Sequence, residues 1–398
     1  METTIALVGI GGYGQHYLRE LLFVPPERNI RLVAGIDPYP ERSNFYATFQ
    51  ERNIPIYPDL ATFYQHEHAD LVILAVPIHL HAPLSCLALE HGSHVLCEKP
   101  LGASLADVEQ MQAAERKAGR ILAIGYQWSF ADPILALKRD ILAGRFGRPL
   151  HFKSLLLWSR SRAYYHRNNW AGRIRSAEGD WVLDSPVHNA TAHYLHNMLF
   201  LLGSTLETSV TPTSLYAELY RANPIENYDA AALRVQTEPG VELLFLTCHP
   251  VLENIGPLAE YVFEDAVIEF PGEEHSFQAR MKDGSLISYG NPDAGNDNKV
   301  WQIIDAMHNG GRVVCDTRTA LPELLCVLGA QKTPINDVPA QYVHVQEHGQ
   351  DSTIWVEGLA DAWQAAYAAN QVPAVASHAP WLRPGTTVSL AEYAHLLK

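Results

Sequence analysis

The stretch Thr4-Ile-Ala-Leu-Val-Gly9-Ile-Gly11-Gly12-Tyr13-Gly14 decides the fold. An apolar run ends on glycine, and the glycines at 9, 11 and 14 keep the spacing G-x-G-x-x-G. A segment of helical period, Tyr13–Phe23, begins at once. The spacing alone is a weak signal. Here a second apolar run, Arg31 to Ile36, ends at Asp37, 23 residues past Gly14. Strand, glycine turn, helix and a distant acid together make the fingerprint of a dinucleotide-binding unit. Gly9 allows the tight turn, Gly11 lets the backbone approach a pyrophosphate, and Gly14 lets helix and strand pack closely. Gly12 and Tyr13 complete the turn, and the helix N-terminus turns unpaired N–H groups toward phosphate. An Asp37 carboxylate accepts from both ribose hydroxyls and repels a 2′-phosphate, which favours NAD; Arg42 leaves NADP open.

Working outward, Leu71–Val76, His94–Cys97 and Ile121–Gly125 are further short apolar runs, separated by helical segments at Pro83–Glu90 and Ser104–Gly119. Ser104, with Asp107 three residues on, reads as a helix cap. Continuously apolar strands alternating with helices predict a parallel sheet covered on both faces over residues 1–125, a doubly wound Rossmann domain. The pattern then changes. Ile134–Ala143 reads as a linking helix, Leu150–Trp158 as a strand, and Pro186–Leu202 as one helix ended by Gly203. Hairpin signals follow at Glu238-Pro-Gly240 and Asp283-Gly284. Helices near Val300–His308 and Ala320–Ala330 are expected to return toward the first domain. Residues 126–335 are thus expected to form an α+β domain with a largely antiparallel open sheet. Residues 336–398 form an extension, with a helix at Thr353–Asn370 and a short terminal one capped by Ser389 and Glu392.

Composition narrows the function. The chain has 398 residues, 47% of them hydrophobic, and a formal charge of −15. Such a surface repels phosphate backbones and anionic lipid heads, which argues against a nucleic-acid or membrane partner. No apolar run is long enough for a spanning helix. The N-terminus lacks the basic and apolar regions of a signal peptide. Five widely spaced cysteines without C-x-x-C suggest reduced thiols, hence a cytoplasmic protein without a disulfide frame or zinc site. His193 and His196 share a helix with His188, but no H-E-x-x-H is present, and no metal is expected.

Further motifs accumulate in order: Ala75-Val76-Pro77-Ile78-His-Leu-His81, Cys97-Glu98-Lys99-Pro100, Gly125-Tyr126-Gln127-Trp, and Asp184-Ser-Pro-Val-His188. Over about residues 3–330 this series resembles the Gfo/Idh/MocA oxidoreductases. The resemblance implies a Rossmann domain followed by an α+β domain whose open sheet mediates association into a dimer or tetramer. It implies hydride transfer between NAD(P) and a hydroxyl or keto carbon of a sugar, cyclitol or derivative. Lys99 and Glu98 match the Glu-Lys-Pro motif; Asp184 and His188 match the Asp-x-x-x-His pair facing the nicotinamide. Val76, Pro77 and His81 match the segment bordering the cofactor. Three positions depart from the pattern: Ile78 stands for Asn, Pro186 for Gly and Thr191 for Asp.

The residues support matching chemistry. Hydride leaving an alcohol carbon requires a base for the hydroxyl proton. His188 suits, because imidazole titrates near neutral pH. Ser185 reads as the helix cap and Pro186 as the first helical residue, which puts His188 in the first turn. Asp184 is expected to orient the ring. Lys99 is expected to hydrogen-bond the reacting oxygen. Tyr164, Tyr165, His166, Asn169 and Trp170 form an aromatic, polar loop suited to stacking on a sugar, with Tyr164 and Trp170 as the expected platforms. Tyr126 and Gln127 follow the last parallel strand, where substrate and cofactor are expected to lie. Two alternatives stand beside the dehydrogenase: a hydrolase or epimerase that retains NAD and oxidises transiently, and a non-catalytic dinucleotide sensor.

Overall fold

A computed structural model describes residues 2–295 and 298–393. The chain divides into two units, one of Met1–Phe130 with Asn296–Ala320, the other of Ala131–Gly295 with Leu321–Lys398. The division is not contiguous: 296–320 belong with the first unit, and the extension after 335 belongs with the second.

The first unit alternates β1 (Thr3–Val8), α1 (Gly14–Leu22), β2 (Ile30–Ile36), α2 (Tyr46–Glu51), β3 (Ile56–Tyr57), α3 (Leu60–His66), β4 (Leu71–Leu74), α4 (His81–Glu90), β5 (His94–Cys97), α5 (Leu105–Ala118) and β6 (Leu122–Ile124). The strands are all parallel, in the order 3-2-1-4-5-6, so the sheet reverses direction of growth between β1 and β4. Ligands of such sheets bind at that reversal, beyond the strand C-termini. Apolar side chains of β1, β4 and β5 are buried on both faces, as their unbroken apolar runs require. Ser104 caps α5 by accepting from the Asp107 N–H at 3.1 Å, and Gly119 ends it at φ +61°.

The second unit begins with α6 (Asp132–Leu142), β7 (Pro149–Leu157), α7 (Arg162–His166) and α8 (Ala192–Leu201). The single helix expected over Pro186–Leu202 is divided. Pro186–Ala190 is a π-turn in which the Thr191 N–H reaches back five residues to the Pro186 carbonyl at 2.9 Å, and α8 starts only after Thr191. Strands β8 (Pro212–Arg221), β9 (Ala230–Thr237), β10 (Glu242–Cys248), β11 (Ile255–Phe263), β12 (Ala266–Phe270), β13 (Phe277–Met281) and β14 (Leu286–Gly290) follow. Both hairpins, β9–β10 and β13–β14, form at the turn signals. Helix α9 (Asn298–Asn309) belongs to the first unit. The chain finishes with α10 (Thr317–Ala330), β15 (Ile335–Asp337), β16 (Val343–His348), β17 (Asp351–Val356), α11 (Leu359–Ala369), α12 (Pro373–Ala376) and β18 (Thr386–Ser389). The large sheet runs β14-β13-β12-β11-β7-β10-β9-β8-β15, with β18 beside β8; β7–β10 and β8–β15 are its parallel pairs.

The helix expected at Thr353–Asn370 begins later, at Leu359. Ser-Thr-Ile-Trp-Val is rich in β-branched and aromatic residues and pairs as β17 with β16 instead. Of the expected terminal helix, residues 394–398 lie outside the described residues. Because strand side chains alternate, one sheet face presents Leu155, Leu157, Tyr220, Leu244 and Leu246, and the extension buries Trp363, Trp381, Val356 and Leu359 against it. Over β7 to β10 this face of the sheet is thus covered by the chain itself.

Candidate functional site

In the first unit the glycine turn is shaped by sterics. Gly9 has φ +83°, and a Cβ there would come within 2.3 Å of the Ala75 carbonyl oxygen. A Cβ on Gly14 would lie 1.8 Å from the Gly9 carbonyl oxygen. Neither position admits a side chain. In front, a Cβ on Gly12 would meet nothing within 4 Å, and one on Gly11 only Asp37 Oδ2, at 4.0 Å. The turn is closed behind and open in front, a cradle that fits a pyrophosphate at the α1 N-terminus. The Asp37 carboxylate accepts from the Ile10 N–H at 3.1 Å and the Tyr39 N–H at 2.8 Å, tying the turn to the end of β2. Its further lone pairs can accept from ribose hydroxyls. The Arg42 guanidinium stacks on Tyr39, 4.4 Å from the ring centroid.

Val76 and Pro77 follow β4. His81 is 1% exposed, and its Nδ1 and Nε2 lie 2.8 and 3.0 Å from the carbonyl oxygens of Pro100 and Val76. It ties the segment after β4 to the segment after β5. Both ring nitrogens thus face main-chain carbonyls.

Glu98 ends β5 and is buried. Its carboxylate accepts from the Tyr17 hydroxyl at 2.5 Å, from the Lys99 N–H at 3.1 Å, and from the Lys299 ammonium. Burial alone would raise Glu98, but the adjoining Lys299 and the Tyr17 hydroxyl hold it below the ordinary glutamate value. Burial would lower Lys299, and Glu98 keeps it above the ordinary lysine value. Gly125 makes room for this carboxylate, since a Cβ there would lie 2.9 Å from Glu98 Oε1. Lys299 Nζ also lies 4.8 Å from the Tyr17 ring centroid and 5.2 Å from that of Tyr13, whose hydroxyl donates to Gln127 Oε1 at 3.1 Å. Glu98, Lys99, Tyr13 and Gln127 are therefore brought together, with the Lys99 backbone pinned to a fixed anion. Tyr126, after β6, is fully buried.

In the second unit, Ser185 Oγ accepts from the His188 N–H at 3.2 Å and donates to the Tyr228 hydroxyl oxygen at 3.1 Å, so the expected cap is present. His188 is fully buried, and neither ring nitrogen has a hydrogen-bond partner among the described residues. Its Nδ1 lies 3.6 Å from Glu323 Oε1. Asp184 does not orient this ring as expected. Its Oδ2 accepts from the Gly172 N–H at 2.6 Å and its Oδ1 from Asn189 Nδ2 at 2.7 Å, so it holds the preceding loop. Burial raises Asp184 above the ordinary aspartate value, against the opposing pull of Gly172, Arg167 and Asn189. Tyr164 is not an open platform either. Arg167 stacks 3.7 Å from its ring centroid, Arg160 lies at 5.1 Å, and Trp170 shares Arg167 at 5.3 Å.

Two residues of these clusters escaped the sequence reading. Glu323 left a signal, as the single charge between Arg318 and Lys332 in an otherwise apolar helix. Lys299 left none, since Asn298-Lys299 reads like any solvated helix start. Among the described residues no three His, Cys, Asp or Glu side chains converge as a metal group, and no helix is long and apolar enough to cross a membrane.

Fold and glycine cradle define a dinucleotide-binding α/β unit of the kind found in oxidoreductases. Residues 3–126 match the profile of the oxidoreductase family with an NAD-binding Rossmann fold, Gfo/Idh/MocA. A 1-carboxy-3-chloro-3,4-dihydroxycyclohexa-1,5-diene dehydrogenase of Comamonas testosteroni is 32% identical over 142 residues, 35% of each chain. A 2,7-anhydro-N-acetylneuraminate hydratase of Mediterraneibacter gnavus is 31% identical over 149 residues, 37% of this chain and 38% of the relative. The matched segment thus spans little more than a third of either relative. Among solved structures, the WlbA dehydrogenase of Chromobacterium violaceum, in complex with NADH and UDP-GlcNAcA, superposes with a TM-score of 0.68 at 21% identity. That match covers 83% of this chain and 94% of the other, and it shows a shared fold.

Proposed function

We propose that the protein is an NAD-dependent oxidoreductase acting on a hydroxyl or keto carbon of a sugar, cyclitol or derivative. The observation that carries the reading is His188, a fully buried imidazole with both nitrogens unbonded beside the Glu323 carboxylate. Leaving such a nitrogen unsatisfied costs about 1–3 kcal/mol, and a catalytic role is one reason for a fold to keep it. The family profile that residues 3–126 match supports a redox reaction, and the relatives named for a dihydroxycyclohexadiene and a sugar acid support the substrate class.

The Gly9–Gly14 turn, with Asp37 at the ribose and Tyr13 and Gln127 beyond it, would hold NAD, which supplies the hydride acceptor when bound. His188 takes the proton of the substrate hydroxyl, and Glu323 stabilises the imidazolium that results. In the first unit, the Lys99 ammonium would stabilise negative charge on a bound ligand. Glu98, fixed by Lys299 and Tyr17, holds the backbone that carries Lys99. Asp184 positions the loop through Gly172 and Asn189. In reduction the proton moves from His188 to the oxygen. Arg42 keeps NADP as a second cofactor to be tested. The five free cysteines support assignment to the cytoplasm, and the family resemblance supports a homo-oligomer.

A second reading, in which bound NAD would be retained with no net reduction, is favoured by the likeness to a hydratase, whose reaction has no net oxidation. One assay separates the two. Purified protein is mixed with NAD or NADP and a panel of sugars, sugar acids and cyclitols, with product and reduced-nicotinamide absorbance both followed. Product with rising absorbance supports the dehydrogenase. Product at constant absorbance from protein carrying NAD supports the second reading, and product from cofactor-free protein contradicts both.

A further inference from the structure

We infer that the second unit carries an oxyanion site of its own, a hollow that takes a phosphate or carboxylate group. The hollow has a volume of about 530 Å³ and lies between α7 with its following loop and the β8–β9 connection. Arg162, Arg173, His166, Asn168, Asn169 and Glu226 supply its charged and much of its polar wall. Other arginines nearby are engaged: Arg167 on the Tyr164 carbonyl, Arg175 on the Gly179 carbonyl, and Arg221 on Asp337. The guanidinium groups of Arg162 and Arg173 make no hydrogen bond, ion pair or ring contact among the described residues.

The wall offers donors and few acceptors. Its one carboxylate, Glu226, accepts from the Ile174 N–H at 3.0 Å. Asn168 Oδ1 is occupied by the N–H groups of Trp170 and Ala171, at 3.1 and 2.7 Å. His166 Nδ1 lies 2.7 Å from the Arg162 carbonyl oxygen, to which it donates. Planar guanidinium forks match an oxyanion in geometry as well as in charge. In a chain of formal charge −15, two unpaired guanidiniums in one hollow therefore point to an anionic ligand. The anion site stands on these residues alone. Its extension, that the anion is a substituent of an acidic or phosphorylated substrate, rests on the functional reading above.

The test is calorimetric titration of inorganic phosphate, and separately of acetate, into the full-length protein saturated with NAD. Saturation keeps phosphate off the glycine turn. The wild type and Arg280→Gln, a distant exposed arginine, are expected to bind. Arg162→Gln/Arg173→Gln is expected to bind at least tenfold more weakly, and Arg162→Lys/Arg173→Lys to recover part of the loss. Phosphate binding without acetate binding assigns a phosphoryl group, and the reverse assigns a carboxylate. Binding of neither anion, or equal binding by the double glutamine variant, overturns the site. NAD is titrated into the same proteins first. Intact NAD binding without anion binding defeats this inference alone, whereas failure of NAD to bind the wild type defeats the functional reading.

Discussion

His188 Nδ1 lies 3.6 Å from Glu323 Oε1, and both side chains are fully buried. A carboxylate so placed faces the positive charge that the ring gains when it takes a proton from a substrate. Glu323→Gln keeps the shape and removes the charge. It is expected to lower kcat about 10²–10⁴-fold, the span assigned to general acid–base catalysis, with a much smaller effect on KM. The measurement is steady-state kinetics with the substrate found in the panel. An unchanged kcat would mean that the carboxylate is structural only.

Lys299 and Glu98 form a buried ion pair. Lys299→Met leaves the Glu98 charge uncompensated and is expected to destabilise the first unit by about 3–5 kcal/mol, read by denaturant unfolding. The pH dependence has a definite sign. Glu98 is held below its ordinary value, so its contribution is present above the unfolded-state value and disappears as pH falls through the lower native one. Lys299 is held above its ordinary value, so its contribution is present below that value and disappears as pH rises through the native one. The variant should therefore lose stability most at neutral pH and least in acid.

Glu218 provides a contrast. Burial pushes it up to about 7, although the Ala374 N–H and the Tyr216 hydroxyl donate to it. A raised native value means that the folded state binds the proton more tightly. Stability should fall as pH rises from the ordinary glutamate value of 4.5 through about 7. Glu218→Gln should flatten that part of the pH–stability curve, as thermal melts at a series of pH values would record.

Trp363 sits in the core that joins the extension to the sheet, and its Nε1–H donates to the Ala231 carbonyl at 3.3 Å. Trp363→Ala is expected to cost about 3–5 kcal/mol. A chain ended at residue 335 would expose Leu155, Leu244 and Tyr220 and should aggregate or fail to fold. A soluble truncated protein with an unchanged melting temperature would show the extension to be dispensable.

Legibility in the sequence followed the range of the forces involved. Local signals were readable: the glycine turn, the Ser104 and Ser185 caps and the Asp283-Gly284 hairpin rest on contacts between near neighbours. The division of the 186–202 helix at Thr191 was hidden, because a single extra residue in a turn leaves the apolar periodicity almost intact. Ser352–Val356 was misread because its pairing partner, β16, carries weak strand signals. The expected roles of Asp184 and His81 turned on hydrogen-bond partners 12 and 19 residues away, Gly172 and Pro100. Lys299 and Glu323 lie 201 residues from Glu98 and 135 from His188, beyond any local pattern.

Calorimetric titration of NAD into the purified wild type and Gly14→Ala tests the Gly9–Gly14 cradle most directly. The Cβ added at Gly14 would fall 1.8 Å from the Gly9 carbonyl oxygen, so the cradle cannot keep its shape. Saturable NAD binding is expected of the wild type and at least a hundredfold loss of the variant, with the second unit still folded by circular dichroism. No NAD binding by the wild type, or equal binding by the two proteins, would contradict it.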